Sequence, residues 1–202
     1  MNRASARETG TVAEIDRRLI AAKVRPPALP AAVIGRPRVE AALLAAARDR
    51  HIVLVVAGAG AGKTTAAAQF FAGRDGPAAW LTVDRADRDS GRFVTYLAAA
   101  LGRLEPHLGP MVRAQLADGL AQEDCAALLA EEVGAGWTVV LDDLHHLEPD
   151  SPTLGALRAF LRYMPPSALA VLVSRRLPSV DLPQEVLSGR LQGVFEIGRA
   201  HV

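Results

Sequence analysis

The sequence predicts an α/β domain of three layers, with a mostly parallel sheet between two layers of helix. Four short, apolar, β-branched runs recur along the chain, and helical segments separate them. Each run is apolar throughout, the pattern of strands buried on both faces in parallel sheets with helical crossovers. At 202 residues the chain has room for one domain, or one domain and an arm, with a proper core.

The elements follow in order. Residues 1 to 22 are polar, with a helical run from Val12 to Ala22. Lys23 to Pro30 holds three prolines in five residues and reads as an extended linker, since proline fixes φ and removes a donor. Val39 to Arg48 is a helix rich in alanine and leucine. His51 to Ala57 is a buried strand, and Gly58 to Gly62 is loop. Lys63 to Ala72 is helix, and Ala79 to Val83 is a second strand ending at Asp84. From Ser90 to Leu104, Phe93, Leu97, Ala100, Leu101 and Leu104 fall at helical spacing. Met111 to Val133 is helical with a break near Gly119, and Trp137 to Leu141 is a third strand. Ser151 to Tyr163 is a helix with Ser151 as N-cap and Pro152 at the first position. Ala168 to Val173 is a fourth strand, and after Ser174 the pattern weakens. The expected division is an arm with its linker over 1–30, a core domain over 31–196 and a tail over 197–202.

Composition narrows the function classes. Half the residues are apolar and the net charge is +1, so the chain is neither disordered nor built as a general nucleic-acid surface. Its apolar runs, Ile52 to Ala57 among them, are far below the roughly 20 residues of a membrane span. Met1 to Gly10 carries no apolar signal core. One cysteine, Cys125, excludes an internal disulfide or a cysteine metal cluster, and it reads as a small core residue. The expected compartment is the cytoplasm. Of 23 basic residues, lysine occurs only at 23 and 63. Against that arginine-rich background, a lysine inside a glycine-rich loop calls for a specific reason.

Parallel sheets bind ligands beyond the carboxyl ends of their strands. Residues 57–65 there read Ala57-Gly58-Ala59-Gly60-Ala61-Gly62-Lys63-Thr64-Thr65, between a strand and a helix. This is the order of a phosphate-binding P-loop, except that Ala57 replaces the first glycine. Glycines let backbone amides turn toward phosphate oxygens, and the helix N-terminus adds positive potential. Lys63 is expected to reach the β- and γ-phosphates of ATP, and Thr64 to ligate Mg²⁺. The third strand ends in Asp142-Asp143. Asp142 is the second expected Mg²⁺ contact, and Asp143 is placed to orient or deprotonate an attacking water. The fourth strand ends in Ser174-Arg175-Arg176, where Arg175 is the favoured sensor of the γ-phosphate. Arg36, in Ile34-Gly35-Arg36, is a candidate contact to the base. Asp84 either touches the site or caps the next turn. His145 and His146 lack a third ligand at suitable spacing and read as structural or supporting residues.

Together these segments resemble a known family: Lys23-Val24-Arg25-Pro26-Pro27, Ile34-Gly35-Arg36-Pro37, Ala57 to Thr65, Trp80 to Asp84, Arg92-Phe93 with Tyr96-Leu97, Val140 to His145, and Val173-Ser174-Arg175. The set is similar to the ATPase module of large MalT-like, LuxR-type transcriptional regulators, which belong to the signal-transducing STAND class of AAA-like P-loop ATPases. The resemblance covers about residues 20 to 190. It implies a switch that holds ADP at rest and self-associates with ATP once a small-molecule inducer is bound. The sensing segment and the helix-turn-helix that reads promoter DNA would lie in later domains, and no second basic helical pair follows residue 190 here. Residues 197–202 look like a translated sequencing adapter, which implies a fragment, although an Ile-Gly pair near this point also suits the family. Two other readings are a P-loop kinase or other nucleotide-dependent transferase, and a module that binds nucleotide without turnover. The double carboxylate favours water activation over transfer.

Overall fold

The computed structural model describes residues 19–29, 35, 37–49 and 51–177, and the backbone of 191–196. Six α-helices and five strands are described: α1 (Pro37–Asp49), β1 (Ile52–Val56), α2 (Lys63–Ala72), β2 (Ala78–Thr82), α3 (Ser90–Leu101), α4 (Leu108–Ala117), α5 (Gln122–Glu131), β3 (Thr138–Asp142), α6 (Thr153–Tyr163), β4 (Leu169–Ser174) and β5 (Leu191–Glu196). The sheet runs β2-β3-β4-β1-β5. Every pairing is parallel, and the register slips once, between Val53 and Leu54 on the β5 side.

Alternation along the buried strands sorts their side chains into two cores. Ile52, Leu54, Leu81, Val139, Leu141 and Leu172 face a layer that holds Phe93, Leu97, Leu108, Leu129, Leu157 and Phe160 of α3 to α6. Val53, Val55, Trp80, Val140, Val171 and Val173 face the other way, toward Leu43 and Ala46 of α1 and Ala67 and Phe70 of α2. These two cores make the expected three layers. Trp80 closes the second core edge-on to Phe71, ring centroids 5.7 Å apart, and its indole N–H donates to Thr82 Oγ1 at 2.9 Å.

Several expectations change in detail. The fifth strand is an addition: Gln192 and Gly193 interrupt its apolar run, which hides it from a search for continuous runs. The long helical stretch divides into α4 and α5, and Gly119 between them takes φ +85°. The helix begun at Ser90 ends at Leu101, where the Gly102 amide donates to Ala98 O at 2.7 Å. Ser151 does not cap α6 with its side chain. Its hydroxyl turns to Arg88 O at 3.4 Å, and the helix begins at Thr153. In the expected linker Arg25 is extended and residues 26–29 belong to no helix or strand, but Ala21–Val24 is a 3₁₀ turn whose Lys23 and Val24 are buried. Of the helical run expected to start at Val12, residues 12–18 lie outside the described residues, and so do Arg36 and the tail 197–202.

Candidate functional site

The carboxyl ends of β1, β3 and β4 lie side by side, because β4 pairs with both of the others. Three expected motifs therefore meet at one edge of the sheet. β1 leads into the glycine loop, β3 ends in Asp142-Asp143, and β4 ends in Ser174-Arg175.

The loop shows where glycine is needed. Gly60 and Gly62 hold φ of +74° and +77°, a region that L side chains avoid. Ala57 needs no such freedom. Its methyl is buried in the second core, and its amide donates to Ser174 O at 3.3 Å. The departure from the usual first glycine is thereby accommodated. Gly58, Ala59 and Gly60 are exposed, whereas Ala61 is buried. Gly62 stands at the N-cap of α2 without a side-chain cap, so the first amides of that helix face the loop.

Lys63 is 6% exposed and donates from Nζ to Gly58 O at 2.8 Å, across the loop mouth. Burial, then the Arg175 charge, lowers its pKa below the ordinary lysine value. Thr64 donates from Oγ1 to Asp142 Oδ1 at 3.2 Å and so joins the first turn of α2 to the end of β3. Thr65 is half-buried in the same turn. Asp142 is 1% exposed and also accepts from the Asp143 amide at 2.9 Å. Burial first, and then the neighbouring Asp143 charge, push its carboxyl up to about 6. Asp143 takes φ 60°, an uncommon conformation for a residue with a side chain, which turns the chain sharply away from β3. Arg175 is exposed, and its charge reaches Lys63 and His145.

The two histidines serve this turn. His145 Nδ1 lies 3.5 Å from Asp143 Oδ1, and the two imidazoles stack with centroids 4.3 Å apart. Burial, followed by the His146 charge, lowers the pKa of His145, so its ring is neutral near pH 7. Sequence reasoning gave Arg176 little weight beside Arg175. Arg176 braces the turn by donating to His145 O at 3.3 Å, a contact invisible until β3 and β4 are paired. Asp84 resolves as a cap: it accepts from the Ala86 amide at 2.8 Å and pairs with Lys23 at 2.8 Å. A groove of about 610 Å³ lies elsewhere, between α5 and α6, and no residue of the strand-end cluster lines it.

The chain matches MalT, an HTH-type transcriptional regulator of Vibrio cholerae, with 34% identity over 160 residues, 76% of this chain and 17% of that protein. Over these residues the chain is MalT-like. MalT of Klebsiella pneumoniae is 29% identical over 152 residues and MalT of Yersinia pestis 30% over 149. They cover 70% and 69% of this chain, and the chain spans only 16% of either. No family model matches. Among solved structures, a Walker-type ATPase of Pyrococcus abyssi aligns with TM-score 0.48 and 14% identity over 75% of this chain and 48% of that one. A STAND ATPase with a tetratricopeptide-repeat sensor from Pyrococcus horikoshii aligns with TM-score 0.47 and 14% identity, over 84% and 24% respectively. Among the described residues of this MalT-like segment, no helix is long and apolar enough to cross a membrane.

Proposed function

We propose that this chain is the nucleotide-dependent switch module of a MalT-like regulator, binding Mg²⁺ with ATP or ADP and hydrolysing ATP slowly. The observation that carries this reading is the 3.2 Å bond between Thr64 and Asp142, beside a buried lysine at the mouth of a glycine loop. Like charges crowd on both sides of that bond. Lys63 sits within the influence of Arg175, and buried Asp142 adjoins Asp143. A polyphosphate with a divalent cation relieves both at once, because anionic oxygens meet the cations while the metal meets the carboxylates. Mg²⁺ typically takes one or two protein oxygens and completes its shell with phosphate and water. Thr64 and Asp142 are the residues that would hold it, and it would neutralise charge on the β- and γ-phosphoryl groups.

The remaining roles belong to the chain's own groups. Loop amides and the α2 N-terminus bind phosphate oxygens. Lys63 gives up its bond to Gly58 O and takes a phosphate oxygen instead. Asp143, turned out by its positive φ and flanked by neutral His145, orients the water that attacks the γ-phosphate. Arg175 stabilises charge on the γ-phosphate and reports its loss. Arg36 is assigned to the base on its place in the sequence alone, just before α1. In the same way, an inducer, promoter DNA and ATP-driven self-association are assigned to the longer regulators that this module resembles.

Asp143→Asn separates binding from turnover. The expected result is nucleotide affinity within about threefold of wild type and hydrolysis slowed by about a hundredfold, the usual weight of a positioned general base. Unchanged hydrolysis by the variant would remove Asp143 from the mechanism.

A further inference from the structure

Both lysines of this arginine-dominated chain are buried, and only Lys63 lies in the loop. Lys23, 6% exposed, enters the domain from the N-terminal arm. Its ammonium pairs with Asp84 at 2.8 Å and with the fully buried carboxylate of Asp87, and it lies 4.4 Å from the centroid of the Tyr96 ring. The Tyr96 hydroxyl accepts from the Ile20 amide at 3.1 Å, which fixes the arm at a second point.

Asp87 belongs to the 3₁₀ turn Arg85–Arg88 that follows β2. Besides Lys23, its carboxylate accepts from the Asp84 amide at 2.8 Å and from Arg92 Nε at 3.2 Å. The carbonyl oxygens of Asp87 and Arg88 lie 2.7 and 2.9 Å from the Thr153 hydroxyl at the start of α6. Arg88, the next residue, crosses to the turn after β3. Its Nε donates to His146 O at 3.3 Å, and its guanidinium pairs with Glu148. That turn begins at Asp143. One polar bridge therefore runs from the arm, through Asp87 and Arg88, to the backbone that aims Asp143.

We propose that Lys23 is a positioning residue for hydrolysis: the docked arm holds Asp87, and Arg88 then holds the Asp143–Glu148 turn in its working conformation. The hydrolytic geometry thus depends on whether the arm is seated. This rests on the function proposed above for Asp143, but the bridge itself is open to a test that needs no nucleotide.

Amide hydrogen exchange of the full chain reads the bridge directly. The His146 amide donates to Asp143 O at 3.1 Å and the Leu147 amide to Leu144 O at 3.0 Å. In Lys23→Met these two amides are expected to exchange about tenfold faster, while the amides of α2 keep wild-type rates. General destabilisation would speed both sets equally, and that result, like no change at all, would overturn the proposal. Breaking a buried ion pair is costly to a fold. Arg88→Met therefore serves as the second variant, because it cuts the same bridge at a half-buried position. It is expected to loosen the same two amides, and unaltered exchange there would equally overturn the proposal. Hydrolysis is the second readout: Lys23→Met lowers the turnover rate about tenfold with nucleotide Kd unchanged. Wild-type turnover in a folded, nucleotide-binding Lys23→Met protein would refute the positioning role. A wild-type chain that binds no nucleotide would instead refute the proposed function and leave the exchange result to decide the bridge.

Discussion

Asp142 is a carboxylate with little water to support its charge. The folded protein keeps its proton up to about pH 6, whereas an unperturbed carboxyl releases it near 3.8. Between those values the folded state binds more protons than the unfolded chain, so stability falls as pH rises. The change is at most about 3 kcal/mol, because a tenfold difference in proton affinity between the two states is worth roughly 1.4 kcal/mol. Urea unfolding of the ligand-free protein from pH 4 to 7 should show this decline, and Asp142→Asn should flatten it. A wild-type curve that is level through this range would contradict the assigned burial and charge. Lys63, Thr64 and Asp142 were legible because strand, loop and helix fix their order and a parallel sheet fixes where they meet. The pairing of Lys23 with Asp87 was not. Positions 64 apart acquire a shared environment only when the arm folds back over α3.

Elements depend on close approaches that composition does not display. Gly134 precedes β3, and a Cβ there would lie 2.5 Å from Trp137 Nε1. Gly134→Ala must therefore displace the indole that leads into the strand. The expected cost is about 1–3 kcal/mol, the usual penalty of overpacking, measured by urea denaturation. A loss below about 0.5 kcal/mol would mean that the indole moves freely. Phe160 of α6 is fully buried among the α3 to α6 layer, and Phe160→Ala should cost about 3–5 kcal/mol in the same assay. The helix boundaries that sequence reading placed well, at Lys63 and Ala72, are those set by a loop glycine before and Gly73 after. At Ser151 the local cap pattern lost to a tertiary partner, the Arg88 carbonyl. At β5 the mixed run Leu191-Gln192-Gly193 gave no apolar signal, and its place beside β1 is settled by pairing.

At the scale of the molecule, two cores on opposite faces of one sheet hold three strand ends in register, and the proposed chemistry sits where those ends emerge. The layers were readable because strands buried on both faces must be apolar at every position, a pattern that differs from the one-sided stripe of the helices. The strand order was not, since nothing local says that β4 lies between β3 and β1. The central claim is that this edge is a nucleotide site governed by Lys63. Thermal unfolding without ligand, with ADP and Mg²⁺, and with ATP and Mg²⁺ tests it most directly. Ligand at 100 times its Kd contributes about 2.7 kcal/mol to the folded state. The melting temperature of the wild type should rise in both nucleotides, and Lys63→Ala should melt cooperatively with no rise. A cooperative wild-type melt that nucleotide leaves unmoved, or a Lys63→Ala protein that responds as the wild type does, would contradict the account.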